Sequence, residues 1–291
     1  MAYTNYGTIK TDVMNKIGID DDDVEDVVEQ SLNDILQEIC QASNFSWLYG
    51  DSSFITTAVY EAGSLTATEG GTTLTGSSTI WTSAMVGRKI RIENATYDIS
   101  AYTSGTDLTI STNYAGAGGS GLGYTIFQGE YSLSSDVEDV LSMYQENYPH
   151  KLDKVGIEVM DMLYPSGTAS GYPYKYSIVG YDSSGYMKVA VYPIPQLARN
   201  VYYRFKYRVT EMSSDSDTPI IPLRYRWVLA KGGVYQVAKY LDMPDIGTDY
   251  EREYRQGIAQ MVVADKKMDE RIVKGSHEEQ EDQNLVILNT E

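Results

Sequence analysis

The sequence predicts an α+β chain: a helical bundle formed by N- and C-terminal helices, into which antiparallel β barrel or sandwich modules are inserted. Three observations predict it. Apolar residues recur at the 3.6-residue helical period near both ends of the chain. Between them lie short stretches that alternate β-branched and polar residues, punctuated by glycine-rich turns. The chain has 291 residues, 42% of them hydrophobic and 22% charged, which suffices for one large domain or two modest ones.

Residues 1–50 read as helix. Thr4 or Asn5 caps a first short helix and Gly18 ends it. After the Asp20–Asp23 run, Val24, Val27, Val28, Leu32, Ile35, Leu36, Ile39 and Cys40 step by three and four residues, one buried face of a second helix. Cys40 closes that stripe as a small hydrophobe; its neighbours Gln37, Glu38 and Gln41 are not the electropositive setting that a reactive thiolate needs. The four aspartates do not make an EF-hand: counted from Asp20, the sixth and twelfth positions hold Glu25 and Ser31 where Gly and Glu are required. Carboxylates in a first helical turn complement the helix dipole instead.

Residues 51–130 form an inserted β module. Thr, Ser and Gly dominate, and Arg88-Lys89-Ile90-Arg91-Ile92 alternates so that the two isoleucines point inward. The glycines at 116–123 are followed by no Lys-Ser/Thr and no helix, so a hairpin tip is expected there rather than a phosphate loop. Trp81 precedes an alternating strand and is expected in the core.

Residues 131–218 read as a second β-rich region with a helical stretch at 151–163. Tyr186–Tyr192 and Val201–Val209 are expected to pair across a Pro193–Asn200 turn. On the second of these strands Val201, Tyr203, Phe205, Tyr207 and Val209 share one face, and Tyr202, Arg204, Lys206 and Arg208 the other. Arg204, Lys206 and Arg208 are the candidate basic strand, facing DNA or an acidic neighbouring subunit. In a chain this acidic the neighbour is the favoured reading.

Residues 219–274 return to helix. Trp227, Val228, Val234, Tyr235, Ala238 and Leu241 mark one stripe, and Ile246, Tyr250, Tyr254, Ile258, Met261, Val262 and Met268 a final long helix after Met243-Pro244-Asp245. Gly232-Gly233 costs helix propensity, about 1 kcal/mol per glycine, which points to close approach of another helix. Residues 1–62 carry twelve acids and two bases, and residues 219–274 ten bases and eight acids, so the two helical blocks are electrostatically compatible. From Gly275 to Glu291 the chain reads as an extended tail with five acids and no Lys or Arg. Its apolar run Leu285, Val286, Ile287, Leu288 either packs back on its own subunit or docks in a partner's groove.

Composition excludes several function classes. Asp plus Glu number 41 against 23 Lys plus Arg, net −18, which opposes a surface built to grip phosphates or anionic lipid. No apolar run approaches the roughly 20 residues of a membrane span, and the N-terminus carries no basic and apolar regions of a secretory signal. One cysteine forbids an intrachain disulfide. The two histidines, His150 and His277, have no G-x-S-x-G elbow and no metal-ligand spacing beside them, so no catalytic, cofactor or metal residues are assigned. Twenty-six tyrosines against four phenylalanines favour broad, half-wet contact surfaces.

The order of these parts resembles the head-to-tail adaptor (connector) proteins of tailed bacteriophages. The resemblance rests on the N-terminal helix pair and on Thr75-Gly76-Ser77-x-x-x-Trp81-Thr82-x-x-Met85-Val86-Gly87-Arg88-Lys89-Ile90. It continues through Gly171-Tyr172-Pro173-x-x-Tyr176, Tyr192-Pro193-Ile194-Pro195 and Asp217-Thr218-Pro219-x-x-Pro222. It implies a non-enzymatic virion protein at the head-tail junction, made in the host cytoplasm. Its partners would be the portal protein, tail proteins and neighbouring copies in a ring of about twelve, by what such adaptors do. DNA would pass through the ring without sequence-specific binding, and Leu285–Leu288 would dock on the portal. The alternative is a receptor- or carbohydrate-binding virion protein using Trp47, Trp81 and tyrosines as stacking platforms. A two-carboxylate glycosidase has no positive support, because among 41 acids some pair is always to be found.

Overall fold

The computed structural model describes the backbone of residues 3–18, 22–148, 150–163 and 169–288, and the side chains of 3–18, 24–148, 150–162 and 169–266. The chain is mixed α+β, with five helices and two curled seven-stranded sheets among the described residues. It divides into two compact units, 1–50 with 207–291, and 51–206.

The first unit is built on α1 (Tyr6–Ile17), α2 (Asp22–Gln41), α4 (Arg226–Tyr240) and α5 (Pro244–Leu288). Asn5 caps α1 through a reciprocal pair: its side chain accepts from the Thr8 amide at 3.0 Å, and Thr8 Oγ1 accepts from the Asn5 amide at 3.3 Å. Gly18, at φ 75°, closes the helix in the left-handed region. The α2 stripe is buried as its period requires, from Val24 through Val28, Leu32, Ile35, Leu36 and Ile39 to Cys40. These residues join Tyr6, Ile9 and Val13 of α1, Val228, Leu229, Val234 and Val237 of α4, and Tyr254 and Met261 of α5 in one apolar core.

α4 lies at the centre of that core, and its glycines make this possible. A Cβ on Gly232 would sit 2.5 Å from Ile35 Cγ2 and 2.9 Å from the Tyr254 ring; one on Gly233 would sit 2.6 Å from Leu32 Cδ2. Burial reaches further round α4 than the expected stripe. Leu229 and Arg226 are buried, whereas Trp227, Tyr235 and Leu241 are only half-buried, because helices pack on more than one side.

In the second unit, β2 (Ser64–Ala67), β3 (Thr73–Ser77), β4 (Lys89–Ile92), β5 (Ala95–Ser104), β6 (Asp107–Ile110), β7 (Gly119–Leu122) and β8 (Tyr124–Phe127) form an antiparallel sheet in the order β7-β2-β3-β6-β5-β4-β8. Its two outermost strands are separated in the chain by Gly123 alone, so the sheet must curl until its ends meet. Period-2 pairs fill its interior: Leu65 and Ala67, Ile90 and Ile92, Leu108 and Ile110, Tyr124 and Ile126.

The other large sheet runs β1-β16-β10-β11-β13-β14-β9. Its strands are β1 (Tyr49–Ile55), β9 (Glu130–Ser132), β10 (Val137–Gln145), β11 (Lys151–Lys154), β13 (Lys175–Tyr181), β14 (Met187–Tyr192) and β16 (Asn200–Tyr207). It curls too: Phe54 of β1 stacks on Tyr131 of β9 at 4.8 Å, although these strands stand at opposite ends of the order. A two-stranded ladder, β12 (Ser170–Gly171) with β15 (Ile194–Pro195), and α3 (Ile157–Leu163) complete the unit.

Four expectations are corrected. β14 and β16 do not pair: β14 lies between β13 and β9, and β16 between β1 and β10. The intervening segment is no hairpin turn, because it contributes β15 to a separate ladder. The helical stretch at 151–163 begins only at Ile157; before Gly156 the chain is β11, paired in parallel with β13. Residues 207–218 belong with the helices, since Asn33 brackets Met212 with two hydrogen bonds and the Asp217 and Asp215 carbonyls accept from the first turn of α1. The segment from Gly275 is not extended: α5 continues through Leu288, in keeping with the helix propensity of its Glu and Gln residues.

Candidate functional site

The outer surface of β16 carries the predicted basic residues. Val201, Tyr203 and Phe205 are buried, and the alternation turns Tyr202, Arg204 and Lys206 outward. Arg204 is exposed. Lys206 is paired with Glu138 on β10, Nζ to Oε2 3.4 Å, so its charge is met within the unit. Arg208 is exposed and lies beyond the last residue of β16. The three cations are therefore not one continuous strip.

Next to Arg204 the sheet presents aromatic and aliphatic surface. Tyr202 stacks on Tyr144 of β10 with ring centroids 5.2 Å apart, and Tyr144 and Leu141 are 44% and 52% exposed. Tyrosine, arginine and an exposed aliphatic on a rigid sheet make the composition of a protein contact surface. The sequence marked the arginines; the partnering of Tyr144 with Tyr202 depends on strand pairing that local pattern does not encode.

Trp81, the tryptophan that the carbohydrate reading places in the β module, is no surface platform. Trp81 is 1% exposed, and its indole N–H donates to Tyr124 Oη at 2.9 Å. Tyr124 in turn donates to the Ala62 carbonyl at 2.6 Å, and burial pushes its phenol up to about 12. Trp47, in the other unit, is half-buried and stacked on Phe45 at 5.1 Å.

A cavity of about 420 Å³ opens in the second unit beside Arg88, Phe127, Met160 and Val191. Two ion pairs stand on its lining, Lys89–Asp98 at 3.0 Å and Lys188–Glu130 at 2.5 Å. Among the described residues no group of three or more His, Cys, Asp or Glu is placed to hold a metal ion. Nor is any helix there long and apolar enough to cross a membrane. The Asp20–Asp23 side chains and the Leu285–Leu288 side chains lie outside the described residues.

No curated protein matches the chain. A family does: residues 4–275 match the family described as SU10 adaptor protein. The match spans both helical blocks and everything between them, the same order of parts that carried the resemblance to phage adaptors. This is a family of structural adaptors, not of enzymes. The chain belongs to the SU10 adaptor protein family and is a structural component of a bacteriophage virion.

Proposed function

We propose that the chain is a head-to-tail adaptor subunit, about twelve copies of which form a ring beneath the portal protein, continue its DNA channel and carry the tail proteins. The family match over residues 4–275 carries this reading. The charge of −18 is consistent with it, because an acidic channel wall repels phosphates and lets DNA slide. The Arg204 surface, with Tyr202 and Tyr144, suits contact with a neighbouring copy that brings an excess of acids. Lys206 and Arg208 flank that contact. Leu285, Val286, Ile287 and Leu288 are proposed to dock on the portal, where an apolar run on a helix end gains most by burial.

The test is to mix the purified chain with its portal protein, measure mass in solution and image the complex. The expected outcome is a monomer alone and a ring with portal. A stable trimer that ignores the portal would defeat the reading. A chain ending at Lys274 is expected to fold but not to join the portal; undiminished assembly by it would remove the docking role of the tail while leaving the ring intact.

A further inference from the structure

We propose that a single buried water sits between Gln145 and Arg199, donating a hydrogen bond to the side-chain oxygen of Gln145 and accepting one from the Nε–H of Arg199. It is a structural hydration site of the second unit and is independent of the ring reading above.

Among the described residues, five side-chain polar atoms are fully buried without a hydrogen-bond partner: Tyr6 Oη, Arg88 Nε, Gln145 Oε1, Arg199 Nε and Tyr254 Oη. Buried polar groups are nearly always bonded, to protein or to an ordered water, because a desolvated donor or acceptor left alone is costly. Two of the five belong to residues that line one small pocket. Its walls come from Gln145 at the end of β10, Gly171 of β12, Tyr172 and Pro173 after it, and Gln196 and Arg199 on the way into β16. Gln145 is 2% exposed, so its amide has given up bulk water. Arg199 is only half-buried, but the buried part includes Nε. Its guanidinium carbon lies 5.3 Å from the centroid of the Tyr172 ring, a cation–π contact that holds the group in place.

Size and polarity name the occupant. The pocket has a volume of about 10 Å³, the room one water needs and far less than an organic ligand takes. It offers one acceptor and one donor. A cation is repelled by the guanidinium, and an anion by the Gln145 oxygen. A water donates to one wall and accepts from the other, nearly as good a link as a direct bond. The surrounding backbone is already bonded: the Tyr148 amide donates to the Gln145 carbonyl at 3.2 Å, the Gln196 amide to Gly171 at 3.2 Å and the Glu146 amide to Asn200 at 2.9 Å. With its walls so fixed, the water ties the end of β10 to the segment that leads from β15 into β16.

The test is a crystal structure of the full chain at a resolution that shows ordered water. One water is expected at about 2.7–3.2 Å from both Gln145 Oε1 and Arg199 Nε. An empty pocket, a side chain filling it, a direct bond between Gln145 and Arg199, or a water that reaches only one of them overturns the proposal. In solution, Gln145→Met, Arg199→Met and the double variant are compared by urea unfolding. A bridged pair is coupled, so the double variant is expected to lose at least about threefold less in the folding equilibrium constant than the two single losses multiplied together. Independent losses also overturn the proposal. Should the variants fail to fold, the wild-type structure decides by itself.

Discussion

The carboxylate of Asp265, on α5, accepts two hydrogen bonds from Ser46, one from the backbone amide at 2.9 Å and one from Oγ at 2.6 Å. The residues are 219 positions apart. The contact ties the end of the N-terminal helical block to the last long helix, and Asp265 is buried in making it. An amide left without its acceptor in such a place costs about 1–3 kcal/mol.

Asp265→Ala is therefore expected to destabilise the protein by about that amount, and Ser46→Ala by less, since the amide bond survives it. A double-mutant cycle by urea unfolding should return a coupling of about 0.5–3 kcal/mol. Additive effects would show that the pair is not coupled.

Gly232→Ala should be among the costlier single-methyl additions in the chain. The new Cβ meets Ile35 Cγ2 and the Tyr254 ring at 2.5 and 2.9 Å, and overpacking of this kind costs about 1–3 kcal/mol against a propensity gain of about 1. Gly247→Ala is the control. Its Cβ finds only Ala238 Cβ, at 3.7 Å, so denaturation should show a neutral or slightly stabilised variant.

Arg226 is buried and, among the described residues, has no carboxylate partner; backbone carbonyls satisfy it. Its guanidinium donates to Tyr3, Thr4, Pro219 and Ile221 oxygens at 2.5–3.2 Å, stitching the chain's first residues to the turn before α4. Arg226→Met leaves those acceptors unpaired and is expected to lose on the order of 3 kcal/mol. Arg226→Lys should recover little, because an ammonium does not reproduce the planar fork. Thermal unfolding of the three proteins checks the order.

Alkaline titration should be biphasic in tyrosinate absorbance. Exposed phenols ionise near 10, whereas burial first, and for Tyr3 also the hydrogen bond to Asp12, holds Tyr3, Tyr124 and Tyr176 at about 12. These raised values mean that the folded state favours the neutral phenol. The stability they contribute is complete below about pH 10 and is lost as pH climbs through 12. Tyr124→Phe should weaken that loss; an unchanged high-pH phase would show that Tyr124 ionises with the exposed group.

What the sequence made legible is what repeats locally. The α2 stripe follows from 3.6-residue spacing, the β-module core from alternation, and the Gly232-Gly233 approach from the cost of glycine in a helix. Trp81 was placed in the core by its position before an alternating strand. What stayed hidden depends on distant partners. The pairing of β16 with β1 and β10 is set by closure of the sheet, not by the turn after β14. No local pattern marks Arg226, on which four carbonyls from the chain's start and from the turn before α4 converge.

The core of the first unit joins Tyr6 to Met261 across almost the entire length of the chain, whereas the second unit is one uninterrupted stretch. During synthesis on a ribosome the β unit can therefore complete its fold first, while α1 and α2 wait with their apolar stripe uncovered until α4 and α5 emerge. A prematurely terminated product would keep that stripe bare, a signal for chaperone capture that full-length chains extinguish on their own.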